Sequence, residues 1–180
     1  ARTQKRIQMT EMGRNIVDGE GMLRAISEIV STNDDRQAVE TQLNSKVLSL
    51  RQVIEEDCQL LWKWANEPSV RSVSFSSESI SWQEHFVWFN RKIKDFNCYC
   101  FMVLDQNNRP IGQIRFDRED GDRAIISITI APEQQGLGYG SLAIDLAVCE
   151  IFDRTSIHSI SALIKPNNAA SIRAFAKVGF

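Results

Sequence analysis

The stretch APEQQGLGYGSLAI, residues 131–144, sets three glycines at alternate positions between the strand-like run RAIISITI and a run with helical spacing. In that strand Ile126, Ile128 and Ile130 share one face, and Ser127 and Thr129 the other. A strand that passes through glycines straight into a helix exposes the free N–H groups of the helix start, with no side chains to hold a ligand away. Such a junction suits a phosphate or pyrophosphate. A tight turn with positive φ accounts for one glycine and leaves three at alternate positions unexplained. A nucleotide-binding Walker loop needs Gly-Lys-Ser/Thr, which is missing, and a dinucleotide fingerprint needs G-x-G-x-x-G after a first strand. Here the pattern is G-x-G-x-G, late in the chain.

The rest of the pattern from Lys46 is regular. KVLSLRQV alternates as a strand, IEEDCQLLWKWANEP reads as a helix with Glu55, Glu56 and Asp57 at its positive end, and Pro68 is read as lying just past its stop. SWQEHFVWFNRKI is a second amphipathic helix, opened by Ser81, with Trp82, Phe86, Phe89 and Ile93 on one stripe. CYCFMVLD and IGQIRFD are strands joined by the turn NNRP. After the glycine loop, Leu142, Leu146, Cys149 and Phe152 mark a helix stripe, SIHSISALI is a strand and AASIRAFAKV a closing helix. Strands first, then strands alternating with helices, predict a mixed α/β fold.

Residues 1–44 differ. VDGEGMLRAISEIV forms one amphipathic helix, capped by Asp18, that has no local partner, so this segment is expected to be an arm on the main domain or the tail of another. The main domain is placed at 45–180, and the start at Ala1 fits a fragment. With 43% hydrophobic and 24% charged residues, the chain can fill one core. A net charge of −2 without a basic block argues against nucleic acid as a partner. No apolar run approaches the roughly 20 residues of a membrane span, and ARTQKRIQMT lacks a signal-peptide core, so no membrane partner and a cytoplasmic location are expected. Cys58, Cys98, Cys100 and Cys149 have no metal-ligand spacing and are expected to be reduced, mostly buried thiols, with no metal site.

Gln135-Gly136-Leu137-Gly138-Tyr139-Gly140 resembles the Q/R-x-x-G-x-G/A pyrophosphate loop of the GCN5-related N-acetyltransferase (GNAT) family. NNAASIRAFAKVGF resembles the segment that ends that family's catalytic core, with Asn168, Phe175, Lys177, Gly179 and Phe180 at matching intervals. The two motifs occur in the right order, one helix and one strand apart. The resemblance implies the GNAT fold, a central mixed sheet splayed between its fourth and fifth strands and flanked by helices. It implies acetyl-CoA as co-substrate, with pantetheine pairing to the backbone near Ile128 and Ile130 and pyrophosphate on the N–H groups from Gly136 to Ser141. Asn168, Phe175 and Lys177 complete the implied cofactor set. Where the family often has a proton-donating Tyr, this chain has Phe175, which cannot donate.

WKWANEPSVRSVSFSSESISWQEHFVWF resembles the acetyltransferases of UDP-linked 4-amino-4,6-dideoxy sugars on the pseudaminic acid pathway, through Asn66, Pro68, Arg71, His85 and Phe89. The branch that acetylates proteins and peptide N-termini shares the layout, and an acyl-CoA-binding domain without turnover also fits. NIVDGEGMLRAISEIV resembles the last helix of the UDP-sugar hydrolase of the same pathway, so an upstream hydrolase domain is one expected partner and a homodimer another. Asn66, Arg71, His85, Gln113 and Arg115 are the acceptor-binding candidates, and His85 and Ser127 the catalytic ones. His85 fits both a core-edge histidine and a base. Arg71 fits both a surface arginine and a partner for phosphate or a uracil carbonyl. Gln113, Arg115 and Asp117 share one strand face, and the four tryptophans are read mainly as core. Family members continue past the last motif, so the domain is expected to be truncated, with an unpaired outer edge on the strand at 156–164.

Overall fold

Residues that alternate apolar and polar from Ser49 onward build a mixed sheet whose two faces carry different chemistry. The computed structural model describes the backbone of residues 5–10 and, in full, residues 47–180. The helix expected in 17–30 lies outside the described residues. The strands are β1 (Lys5–Thr10), β2 (Ser49–Gln52), β3 (Cys98–Leu104), β4 (Pro110–Arg118), β5 (Arg123–Ile130) and β6 (Ser159–Ile164). Their order is β1-β6-β5-β4-β3-β2, and among them only β5 and β6 run parallel. The helices are α1 (Cys58–Asn66), α2 (Pro68–Val73), α3 (Trp82–Lys92), α4 (Tyr139–Arg154) and α5 (Ala169–Lys177).

The β5–β6 pairing runs from Arg123↔Ser159 to Ile126↔Ala162 and stops, while β5 stays paired to β4 as far as Gly112↔Ile130. Residues 127–130 therefore keep one strand neighbour. This is the splay expected between the fourth and fifth strands of residues 45–180.

One face of the sheet is mainly apolar. Phe101, Ile114, Phe116 and Ile126 pack under Ala143, Ile144, Ala147 and Ile151 of α4. Full burial of each large side chain is worth about 1.5–3 kcal/mol. On the other face Met102 and Leu104 pack with Cys58, Leu61 and Trp64 of α1 and Phe89 of α3. Ser81 caps α3, its Oγ accepting from Glu84 N at 3.2 Å while Glu84 Oε2 accepts from Ser81 N at 3.0 Å.

Several expectations shift. Pro68 lies just past the end of α1, as expected, and also opens α2, where its missing N–H costs nothing. The buried stripe of α4 contains Ala143, Ile144, Ala147 and Val148, and Leu142, Leu146 and Cys149 are only partly buried. Two alanines four apart let that helix lie close on the sheet. Of the four tryptophans only Trp64 is buried, and of the four cysteines only Cys58. The outer edge of β6 is not bare: β1 pairs with it antiparallel from Lys5↔Ile164 to Thr10↔Ser159. Among the described residues no helix is long and apolar enough to cross a membrane.

Candidate functional site

The glycine loop leaves β5 through a short 3-10 turn, Pro132–Gln134, and enters α4 at Gly138. Gly136 and Gly138 have φ of 76° and 86°, left-handed values that other residues reach only with strain. Gln135 Nε2 donates to Ile130 O at 3.0 Å, tying the loop to the strand end. Gly138 is the N-cap of α4 and no side chain caps the helix, so its first-turn N–H groups are presented by main chain alone. A Cβ on Gly136 would meet nothing within 4 Å, so the space beside it is open. Ser141 Oγ donates to Gly138 O at 3.2 Å, Leu137 is half exposed, and the Tyr139 ring packs on the core. A Cβ on Gly140 would lie at ordinary contact distance from the side chains of Ala174 and Ile130.

Beside this loop, residues 127–130 of β5 offer a strand edge, and the side chains of Ile128 and Ile130 pack toward the α4 core. Gly112 allows β5 to sit where it does, because a Cβ there would lie 2.8 Å from Thr129 O. Pyrophosphate and amide groups both find main-chain partners in this arrangement, which fits coenzyme A. At α5 the side chains have local duties. Asn168 Oδ1 accepts from Ser171 N at 3.1 Å as the helix cap, and Lys177 is exposed at the last turn. Phe175 is 3% exposed, its ring edge-on to Phe180 at 4.9 Å.

Opposite α4, the register sets Cys100, Arg115 and Ser127 in one row and Met102, Gln113 and Thr129 in the next. Met102 packs with α1 and α3, so these rows face those helices. Arg115 Nε donates to Asp117 Oδ2 at 2.7 Å, Lys92 of α3 reaches Asp117 Oδ1 at 2.6 Å, and the Arg115 guanidinium lies 5.0 Å over the Trp88 ring. Burial pushes the Asp117 carboxyl up, but Arg115 and Lys92 outweigh it and hold it below the ordinary carboxylate range. Gln113 Nε2 is 3.9 Å from the Cys100 sulfur.

Two acceptor candidates have partners within the fold. His85 is 3% exposed, its Nε2 is 3.1 Å from Cys58 O, and its ring lies among Trp82, Trp88 and Phe89. Burial lowers its pKa, only partly offset by that hydrogen bond, which favours the neutral ring. Asn66 is a clamp. Its Nδ2 donates to Trp62 O and Ile80 O, and its Oδ1 accepts from Ile80 N at 2.7 Å, which fixes the segment after α2 to α1. Arg71 differs from both. Its Nη1 donates to Glu78 O at 3.1 Å, but its buried Nε has no hydrogen-bond partner. Gly112 and Lys92 were not singled out by the sequence, and Trp88 was read there with the other tryptophans mainly as core; only for Gly112, a glycine inside a strand, was there a local signal.

Residues 48–180 match the family profile described as "Acetyltransferase (GNAT) domain". Among solved structures, the spermidine N-acetyltransferase of Vibrio cholerae in complex with CoA and spermine is 25% identical, covering 73% of this chain and 79% of that one, with a TM-score of 0.67. A domain from Methanocaldococcus jannaschii is 24% identical over 75% of this chain and 88% of that one, also at 0.67. The aminoglycoside acetyltransferase AAC(6')-Ib in complex with coenzyme A is 19% identical over 74% and 84%, at 0.66. These last two likenesses bear on the fold. No curated protein sequence gives a significant match.

Proposed function

The chain belongs to the GNAT acetyltransferase family and is an acetyl-CoA-dependent N-acetyltransferase, and on that premise we propose that its acceptor is an amine on a negatively charged small molecule, best met by a nucleotide-linked amino sugar. Arg71 carries this reading. Among the described residues no carboxylate forms an ion pair with it, and its buried Nε is orphaned. A buried donor left unpaired costs about 1–3 kcal/mol, which an anionic ligand would recover. A polycation would leave that guanidinium opposed by like charge.

The residues of this chain bind and orient. First-turn N–H groups of α4 and the left-handed glycines take pyrophosphate oxygens, and the free edge of β5 takes the amides of the pantetheine arm. The bound thioester supplies the activated acetyl group. The amine approaches on the Ser127 side of the sheet, where Arg115 and Gln113 stand one strand away. It must arrive unprotonated, and with His85 held in the core, water is the proton acceptor that this arrangement leaves. Phe175 supplies no proton to the departing thiolate, which leaves directly or with a proton from water.

Acetyl transfer to UDP-linked amino sugars, spermidine, an aminoglycoside and N-terminal peptides distinguishes the acceptors. The expected result is turnover of a UDP-linked amino sugar, with KM raised about tenfold in Arg71→Met for one charge-assisted hydrogen bond of about 1.4 kcal/mol lost. Preference for spermidine or peptide would overturn the acceptor, and acetyl-CoA binding without turnover of any amine would leave a binding domain.

A further inference from the structure

β3 opens with Cys98-Tyr99-Cys100, which sets two cysteines on one face of a strand. Their sulfurs are 3.7 Å apart, and both residues are partly exposed. Their neighbours on β4 differ in charge. Cys98 stands opposite Asp117 and Cys100 opposite Arg115, with the Gln113 amide also near the Cys100 sulfur. The hydrogen bond from Cys98, helped by Arg115, holds the Cys100 thiol below its ordinary pKa against the opposing effect of burial. The same hydrogen bond, burial and Asp117 push the Cys98 thiol well up. A thiolate-prone sulfur within reach of peroxide and beside a second thiol is the arrangement of a reversible oxidation site.

We propose that Cys98 and Cys100 are a peroxide-sensitive dithiol on the acceptor face, Cys100 being the attacking sulfur and Cys98 the resolving one. The Cys100 thiolate attacks one oxygen of hydrogen peroxide, so that an S–O bond forms, the O–O bond breaks and hydroxide leaves to be protonated to water. Cys98 then gives up its proton and attacks the Cys100 sulfur. An S–S bond forms, the S–O bond breaks and a second water departs. Two thiols lose two electrons, and one peroxide becomes two waters.

The link has a mechanical consequence. A disulfide needs its sulfurs about 2.05 Å apart, and two residues of an extended strand span about 6.8 Å between Cα atoms, the upper limit for such a bond. β3 must therefore contract at Cys98, its first residue, whose N–H bonds Asp95 O at 2.9 Å in the adjoining turn. That contraction pulls on the pairing with Asp117, the carboxylate that holds both Arg115 and Lys92. A strained bond of this kind is also readily reduced, so thiol restores the site.

The oxidation chemistry stands apart from the acceptor's identity, and only the effect on turnover rests on the acetyl-transfer reading. The full chain is treated with hydrogen peroxide, its thiols are counted after denaturation, and the peptide holding both residues is weighed. Free thiols should fall from the four of the reduced chain to two, the peptide should lose two hydrogens, and dithiothreitol should reverse both changes. Cys98→Ser should stop at a sulfenic acid that dimedone traps on Cys100, whereas Cys100→Ser should leave Cys98 unreacted. Dimedone on Cys98, oxidation confined to Cys58 or Cys149, or no intramolecular link would overturn the assignment. Acetyl transfer should fall on oxidation of the parent chain and not of Cys100→Ser, and a link formed with turnover unchanged would overturn its connection to the acceptor face. If the reduced chain acetylates no amine, the functional reading fails while the mass and thiol counts still decide the oxidation site.

Discussion

The β5–α4 junction and the face under α1 and α3 present different chemistry, main chain at one and side chains at the other. At the junction two left-handed glycines, an uncapped helix start and a strand edge with one neighbour present main chain. On the other face Lys92, Arg115 and Asp117 come from α3 and β4, and only tertiary packing brings them into one ion-pair network. A main-chain site depends on where glycine stands and tolerates change at other positions. A side-chain site depends on each residue and on the scaffold that aims it.

The largest effect should separate the two loop positions that differ most in backbone. Gly138→Val places a β-branched residue at φ 86°, a strain of about 1–3 kcal/mol, and crowds the helix start, so the acetyl-CoA Kd should rise about 100-fold by calorimetry. Leu137→Ala, at an exposed side chain, should stay within about twofold. Equal losses in the two variants would break the main-chain reading of this site.

Next comes the scaffold of the acceptor side. Asn66→Ala removes three hydrogen bonds and should cost about 2 kcal/mol in urea unfolding, allowing for water reaching Ile80. The amine KM should rise while the acetyl-CoA Kd holds, and a change in both would show the halves to be coupled. A smaller effect is expected inside the cofactor half. Phe175→Tyr buries a hydroxyl in an apolar site at a cost of about 1–2 kcal/mol in stability, with kcat unchanged. A higher kcat would mean that thiolate protonation limits turnover and that a side chain at α5 matters after all.

The smallest effect concerns pH. His85 has a folded pKa below its ordinary value of 6.5, so the unfolded chain binds the proton more readily. Its contribution is complete above pH 6.5 and is lost as pH falls through 6.5 toward the lower folded value, at no more than about 1.4 kcal/mol per pH unit. Urea unfolding from pH 7.5 to 5 should show that decline in the parent and less of it in His85→Gln. The pH profile of kcat/KM should be the same in both, and a profile that moves with His85→Gln would restore the base.

The glycine loop, the closing motif and the two-sided character of β4 and β5 were legible because each is a local pattern: positive φ, capping and alternation lie within ten residues. Features that depend on what covers an element were not. Leu142, Ala143, Ile144, Leu146, Ala147 and Val148 make α4 apolar almost all round, so periodicity alone could not choose its buried side. A histidine beside tryptophans reads alike as ligand or core until Cys58 O is found beneath it. Lys92 ends a helix as many lysines do, and its ion pair with Asp117 spans two elements distant in sequence.

The pairing of β1 with β6 joins segments about 150 residues apart in the chain. Closing so long a loop is entropically costly before any contact repays it, and long-range pairing slows folding. The β2–β3–β4–β5 antiparallel block can form from nearer neighbours, so β1 is expected to dock last and to detach first. Amide exchange should then find the N–H groups of Lys5–Thr10 that bond β6 opening at a lower free energy than those of β4, as a separate cooperative unit at the rim of the sheet. Folding of the acetyl-CoA cleft and closure of the sheet edge would be two events on two timescales.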